Sequence, residues 1–419
     1  MGTGVAMAEP FGPEGLPLDQ ARALILAALQ PLGESETLPL GACLGRVSAA
    51  ALLAREAVPG FRASMMDGYA IAGDAIPAPG SRWRLVVGGS APGAPHGGSL
   101  GPGEAIRILT GAPVPEGSGK VLPQELVELA GDSELVLQRE SGANPWIRQP
   151  SEEAAPGQEL LAAGRRLGPA DLGRLASCGL AAIAVTRRPR LGLLISGDEL
   201  LPAGVPRGPG QIWESNGTLL EALLQRLGYP VERQLVVADQ PDLLRPALLA
   251  LAQTCDVVVS TGGVSVGDKD WIRPLVAELG SVNFWKLQLK PGRPFAWGDL
   301  AGKPFFGLPG NPVAAAITAL QLLWPALQQL EGGQVQLLPR LRVRLEAPLS
   351  RGGGRPELAR AELVVGAQGE LLARVSGSQA SARIGSLQRA DLLLEIPAEL
   401  EALEAGQELW AQLLRLPIF

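Results

Sequence analysis

The amino-acid sequence predicts a multidomain α/β and β protein built around a doubly wound α/β domain. Three observations predict it. Residues 190–330 alternate short apolar runs with helix-patterned segments, as a parallel sheet covered by helices on both faces requires. Residues 83–138 and 337–419 instead carry short β-rich runs broken by Gly and Pro, the mark of small all-β units. The chain is also 419 residues long, more than one ordinary hydrophobic core supports.

Taken in order, residues 1–16 are rich in Gly and Pro and read as a flexible tail. Residues 19–30 have helical character, with Asp19 as the N-cap and Pro31 as the stop. Residues 84–87, 105–109 and 135–137 are predicted strands, and residues 152–185 return to a helical pattern, with Pro169 and Asp171 near a helix start. In the α/β region, strands are expected at 191–195, 231–237, 257–260, 284–289 and 304–308. Helices are expected at 216–227, 241–253 and 271–279, followed by a long final helix with Asn311 as N-cap and Pro312 in its first turn. The closing β runs read as a small barrel or sandwich.

A hydrophobic content of 46% with 19% charged residues describes a soluble globular protein. A net charge of −6 argues against a nucleic-acid partner, which wants a basic face. Cys43, Cys178 and Cys255 are far apart and form no metal-ligand spacing, so they read as buried thiols in a reducing cytoplasm. The single histidine, His96, sits in a Gly/Pro-rich run, which leaves a Ser-His-Asp triad or a His/Cys zinc site almost nothing to draw on. A metal here would need oxygen ligands, which favours magnesium. No signal peptide and no membrane span are expected.

The polar clusters of the α/β region fall just after strands, where that fold binds its ligands. Ser196 to Leu200 follows the first strand, Ala238 to Pro241 the second, and TGGVSVGDKD (residues 261–270) the third. KPGRPF (290–295) and GLPGNP (307–312) occupy the next two turns. Asp, Gly, Pro and Asn build turns and caps anyway, and Asp239 reads equally well as a helix N-cap. Five such clusters on one edge of one sheet make turn-building alone a poor account. Glu199, Asp239 and Asp270 would supply carboxylates for Mg²⁺, while Lys290 and Arg293 supply positive charge for an oxyanion. Pro291, Pro294, Pro309 and Pro312 would stiffen the loops between them.

The run PGFRASMMDGYA (59–70) resembles the signature of the molybdopterin molybdenumtransferases, the molybdenum insertases related to the C-terminal domain of gephyrin. By itself MMDGYA reads only as a tight turn with a buried Tyr. ILTGAPVP (108–115), the 196–200 turn, the TGGVSVGDKD loop, KPGRP and GLPGNP match in family order, and the likeness runs from about Leu18 to the C-terminus. It implies a tail at 1–17, an elongated discontinuous domain at 18–55 plus 150–188, and an inserted β domain at 56–149. An α/β molybdopterin-binding domain at 189–332 and a C-terminal β barrel at 333–419 would follow.

The implied reaction inserts molybdate into adenylylated molybdopterin with Mg²⁺, cleaving the pyrophosphate bond and releasing AMP. Asp67, Thr110, Glu199, Asp239 and Asp270 fall on the family's catalytic positions, with the last three as metal ligands. Gly262, Gly263 and Ser265 would hold the pterin phosphate, with Pro309 and Pro312 at the same site. Lys290, Arg293, Pro294, Arg360 and Ser381 would form the molybdate pocket. Departures from the family pattern are Glu153 for Asp, Arg293 for a common Lys, and Ala314 where a Ser often follows GNPV. The resemblance further implies a cytoplasmic homodimer whose partner completes the cleft. A molybdopterin adenylyltransferase would supply it and molybdoenzyme delivery proteins would take its product. Two other readings are an adenylyltransferase, whose loop is typically TGGTG in a shorter chain, and a non-catalytic gephyrin-like scaffold.

Overall fold

Leu191–Ser196 is buried along its whole length, and such a strand belongs inside a sheet covered on both faces. In the computed structural model, which describes residues 15–263, 270–375 and 377–414, it lies inside a six-stranded sheet. The strand order is Val231–Val237, Leu191–Ser196, Val257–Thr261, Lys303–Leu308, Ala296–Leu300, Gly280–Trp285. The first four are parallel, and the last two are added at one side by successive antiparallel pairings. Side chains alternate between two apolar layers. Leu193, Ile195 and Val259 face one layer with Leu220 and Leu224 of helix Asn216–Arg226. Leu194 and Val258 face the other, with Leu244 and Leu248 of helix Pro241–Thr254 and Ile272 of Ile272–Leu279. This is the doubly wound fold that the alternating pattern predicts.

Two local expectations are corrected. The first helix is Leu18–Ala28 with Pro17 at its N-cap; Asp19 lies inside the first turn, paired to Arg22 at 2.8 Å. Strand Ala296–Leu300 was not foreseen. It turns back on Lys303–Leu308 through Ala301 and Gly302, both at positive φ (51° and 81°), a hairpin turn without the usual Asn-Gly or Asp-Gly signal. Pro312–Glu331 is long and apolar enough to cross a membrane by length and composition alone, but 94% of its most apolar window is buried inside the chain. It is a core helix. Its polar residues are satisfied internally: Thr318 Oγ1 donates to Ala314 O at 2.8 Å, and Gln328 Nε2 donates to Gln336 O at 2.8 Å.

Residues 340–413 close into a five-stranded barrel of Arg340–Leu345, Leu371–Arg374, Glu357–Val365, Leu392–Ile396 and Glu408–Leu413. Small and branched residues fill it, among them Val343, Ala359, Ala361, Leu394 and Ala411. The barrel is stitched to the α/β domain by main-chain bonds: Lys290 N–H donates to Pro356 O at 2.9 Å and Leu358 N–H to Lys290 O at 2.8 Å.

A second unit comprises residues 37–44 and 48–184. Its six-stranded sheet runs Ser118–Pro123, Gly68–Ala72, Glu104–Ile108, Arg82–Ser90, Glu134–Leu137, Val127–Ala130. The GYA of the signature is thus an interior strand rather than only a turn. Gly68 is required there, because an added Cβ would lie 1.9 Å from Leu122 O. Leu52–Leu53 pairs with Glu159–Leu161, and Ala63–Ser64 with Ile147–Arg148, so the chain enters and leaves this sheet side by side. Helix Pro169–Ser177 starts at Pro169, with Asp171 Oδ2 accepting the Gly168 N–H at 2.8 Å.

Two buried polar contacts bear on stability. Tyr229 Oη donates to Glu331 Oε2 at 2.6 Å, with both residues buried. Tyr229→Phe removes that donor from an interior carboxylate and is expected to cost about 2 kcal/mol, read from the urea midpoint. Asp256 accepts from the Arg190 N–H at 2.8 Å and pairs with Arg187 Nη1 at 2.7 Å and Arg190 Nη2 at 3.1 Å. Burial alone would raise its carboxyl, but the bonds from Arg190 and Arg187 outweigh it and hold the group well below the usual range. A carboxyl depressed in the folded state stabilises above its unfolded value, about pH 4, and that contribution fades as pH falls below it. Asp256→Asn should therefore be less stable at pH 7 yet show a shallower loss of melting temperature between pH 4 and pH 2.

Candidate active site

A cavity of about 960 Å³ opens where Leu191–Ser196, Val257–Thr261 and Lys303–Leu308 end, with barrel residues 379–384 in its wall. Asn216 ties its floor together: Nδ2 donates to Thr261 Oγ1 at 2.9 Å and to Gly310 O at 2.8 Å. Thr261 Oγ1 in turn donates to Pro309 O at 2.9 Å. Gly262 and Gly263 both take positive φ (89° and 64°). A Cβ on Gly262 would meet Ser196 O at 2.6 Å, and one on Gly263 would meet Ile272 Cγ1 at 2.6 Å. Only glycine lets the chain turn this tightly against the neighbouring strand end. Ser265 and Asp268 lie outside the described residues.

Glu199, Asp239 and Asp270 all line this cavity. Asp239 is not the N-cap of the following helix; Gln240 is. Its own N–H donates to Asp198 Oδ1 at 3.0 Å. Burial pushes the Asp239 carboxyl above its ordinary value; the Ser196 hydroxyl pulls it back, and the charges of Asp198, Glu199 and Asp270 push it further up. Asp239 Oδ1 and Ser196 Oγ are both buried without a well-formed hydrogen bond. Desolvated, mutually repelling carboxylates of this kind are stabilised by a cation. Among the described residues no three His, Cys, Asp or Glu side chains are already gathered as a metal nest.

Cations occupy the same cavity. Lys290, Arg293, Pro294 and Ser381 line it, as do Pro309 and Pro312. Lys290 Nζ is held by Glu357 Oε2 at 3.0 Å, and that carboxylate is held in turn by Arg351 Nε at 3.1 Å. Glu357 is buried, so the ammonium has a fixed anchor. Arg355 also lines the cavity, donating through Nη1 to Leu289 O at 3.3 Å. Burial, then the charges of Arg293 and Arg351, lowers its pKa. Positive charge is crowded here beyond what Glu357 neutralises, the setting of an oxyanion site. Ser381 is positioned through its carbonyl, which accepts the Val313 N–H in the first turn of the core helix at 3.1 Å.

Other predicted residues are placed elsewhere. Arg360, 2% exposed, lines a separate cavity of about 430 Å³. Its Nε donates to Ser386 Oγ at 3.2 Å, its Nη2 to Ala380 O at 3.4 Å, and its N–H to Gln379 Oε1 at 2.8 Å. It therefore braces, from behind, the 379–381 loop that faces the large cavity. Asp67 and Thr110 belong to the second unit. There the Thr110 N–H and hydroxyl donate to Asp67 Oδ1 at 2.7 and 2.8 Å, and these bonds hold that carboxyl below its ordinary value. Glu153, in the same unit, pairs with Arg174 Nε at 3.3 Å. Of the cavity residues, sequence reasoning missed Arg355, Trp213 and the bridging role of Asn216. Arg355 stood in the GGGRPE run beside Arg360, and Asn216 had been read only as a helix start.

Three family models match the chain in succession. They are the MoeA N-terminal region (domain I and II) at residues 16–179, the probable molybdopterin binding domain at 192–329, and the MoeA C-terminal region (domain IV) at 342–414. The molybdopterin molybdenumtransferase of Haemophilus influenzae is 33% identical over 393 residues, covering 94% of this chain and 97% of its own. Gephyrin of Dictyostelium discoideum is 28% identical, over 93% of this chain and 61% of its own. The crystal structure of the molybdopterin biosynthesis MoeA protein from Pyrococcus horikoshii OT3 superposes with a TM-score of 0.74 at 26% identity, over 95% of this chain and 99% of its own. Likeness of this extent, carried by all three regions, places the chain in the molybdopterin molybdenumtransferases, a transferase family of molybdenum-cofactor biosynthesis.

Proposed function

We propose that the chain inserts molybdate into adenylylated molybdopterin in a Mg²⁺-dependent step that cleaves the pyrophosphate bond, releases AMP and gives the molybdenum cofactor. The observation that carries this reading is one cavity walled by Glu199, Asp239 and Asp270 together with Lys290, Arg293, Arg355 and Ser381. Such a wall suits a ligand that combines a metal-bridged pyrophosphate with a separate oxyanion.

In this reading Lys290, Arg293 and Arg355 hold the molybdate dianion by charge, with the Ser381 hydroxyl as a further donor. Glu357 keeps the Lys290 ammonium in place, and Arg360 supports the loop that carries Ser381. The Gly262–Gly263 turn admits the pterin phosphate close to the backbone, and Pro294, Pro309 and Pro312 keep the facing loops rigid. The buried, unpartnered Asp239 Oδ1 and the carboxylates around it fit a divalent cation, which Glu199, Asp239 and Asp270 would hold. That ion would act as a Lewis acid on phosphate oxygen. Asp67 and Thr110, bonded to each other, are proposed as catalytic solely through the family motifs that they occupy. The working form in this reading is a homodimer in the cytoplasm, a reducing compartment with which three buried cysteines outside any disulfide accord. A molybdopterin adenylyltransferase supplies the substrate and molybdoenzyme delivery proteins receive the product.

The test is to incubate the purified chain with adenylylated molybdopterin, Mg²⁺ and molybdate and to measure AMP and cofactor; absence of both rejects the reading. Lys290→Ala should raise the molybdate concentration at half-maximal rate about tenfold or more while Mg²⁺ dependence stays unchanged. Asp239→Asn should lower turnover by roughly 100-fold. The same substitution should raise the metal-free melting temperature by about 2 °C, because it removes a desolvated carboxylate crowded by like charge. A melting temperature that falls instead would show that Asp239 serves the fold.

A further inference from the structure

The cavity is far larger than a tetrahedral oxyanion needs, and its volume of about 960 Å³ is that of a site for an organic ligand. One part of its wall is apolar and aromatic. Ile212–Trp213 pairs in parallel with Leu200–Leu201, and Leu200, Ile212 and Trp213 all face the cavity. This short ribbon is fastened to the carboxylate wall: the Ile212 N–H donates to Glu199 O at 2.8 Å, and the Glu214 N–H donates to Leu201 O at 2.8 Å.

Trp213 is 45% exposed, so part of its ring is open to a ligand. Its orientation is fixed at two points. Nε1–H donates to Val205 O at 2.7 Å, which satisfies the one polar group of the indole. The Arg207 guanidinium lies over the ring, 4.1 Å from its centroid, and Arg207 is not among the cavity residues. One face of the indole is therefore covered by a cation and the ring is held against a ligand-sized space. An aromatic face so presented binds planar rings by stacking and is indifferent to their hydrogen-bonding edges.

We propose that Trp213 is the stacking platform for a planar heteroaromatic ring of the substrate, whether the pterin or the adenine. The proposal rests on the cavity being the site for adenylylated molybdopterin, a ligand that carries both rings. The platform is separate from the oxyanion residues, so it sets affinity for the organic substrate and leaves molybdate binding alone.

The test uses titration calorimetry on the full chain with AMP, a nucleotide-free pterin, adenylylated molybdopterin and molybdate as separate probes. Trp213→Ala should weaken adenylylated molybdopterin about tenfold or more, with molybdate affinity and melting temperature unchanged. Trp213→Phe should restore most of the loss, and Trp213→Leu, which is apolar without a π-face, should not. If the loss appears with AMP, the stacked ring is adenine; if it appears with the pterin, the stacked ring is the pterin. Wild-type affinity for adenylylated molybdopterin in Trp213→Ala overturns the proposal, as does full rescue by Trp213→Leu. If the wild-type chain itself binds no adenylylated molybdopterin, the functional reading falls and the platform with it.

Discussion

The central strands of a parallel sheet covered by helices on both faces have no room for charged side chains, and the placing of the cavity follows from that constraint. Leu191–Ser196 and Val257–Thr261 are buried from end to end, and chemistry becomes affordable only where they stop. Their register places Ile195 opposite Thr261, and Thr261 opposite Leu308, so three strands release their polar residues at one level. Ser196, Glu199, Thr261 and Pro309 therefore meet around one cavity although they are spread over more than a hundred residues of chain.

What gathers there is electrostatically strained in two opposite senses. Asp239 is driven up by burial and by neighbouring carboxylates, while Arg355 is driven down by burial and by neighbouring guanidiniums. Each group lowers the stability of the ligand-free chain, and each is relieved by a ligand of opposite sign. The Lys290–Glu357–Arg351 chain anchors the cationic side, with two cations sharing a buried carboxylate. Arg351 also donates to the carbonyls of Gly352, Pro397 and Arg355, so the loop that carries Arg355 is held by the same side chain. The barrel is thus a structural part of the cavity, since Glu357 starts one of its strands.

Legibility in the sequence followed locality. Strand–helix alternation, the glycine turn after Val257–Thr261 and the Pro at the start of the core helix are short-range patterns; they made the α/β fold legible, and a cavity opens at the sheet edge they indicate. Strand Ala296–Leu300 escaped because its hairpin turn uses Ala301-Gly302 instead of a residue pair with intrinsic preference for left-handed φ. The core helix buries Gln321, Gln328 and Glu331 among apolar residues, which no short-range pattern announces. Their burial is offset by partners from distant segments: Tyr229 for Glu331, Gln336 for Gln328, and Arg22 with Gln412 for Gln321.

By itself the sequence determined which residue types could do chemistry: oxygen ligands in place of His or Cys, Lys and Arg in rigid Pro-rich loops, and glycines where no Cβ fits. Those are properties of composition and of spacing within a few residues. Tertiary structure alone decided which of them share a cavity. Lys290 and Ser381 meet there because main-chain bonds join the barrel to the loop after Leu287–Gln288 and to the start of the core helix. Arg360, five residues beyond the cavity residue Arg355, instead lines the smaller cavity. The reason is the barrel wall itself, where alternate side chains face opposite sides and a few residues along a strand separate one compartment from another.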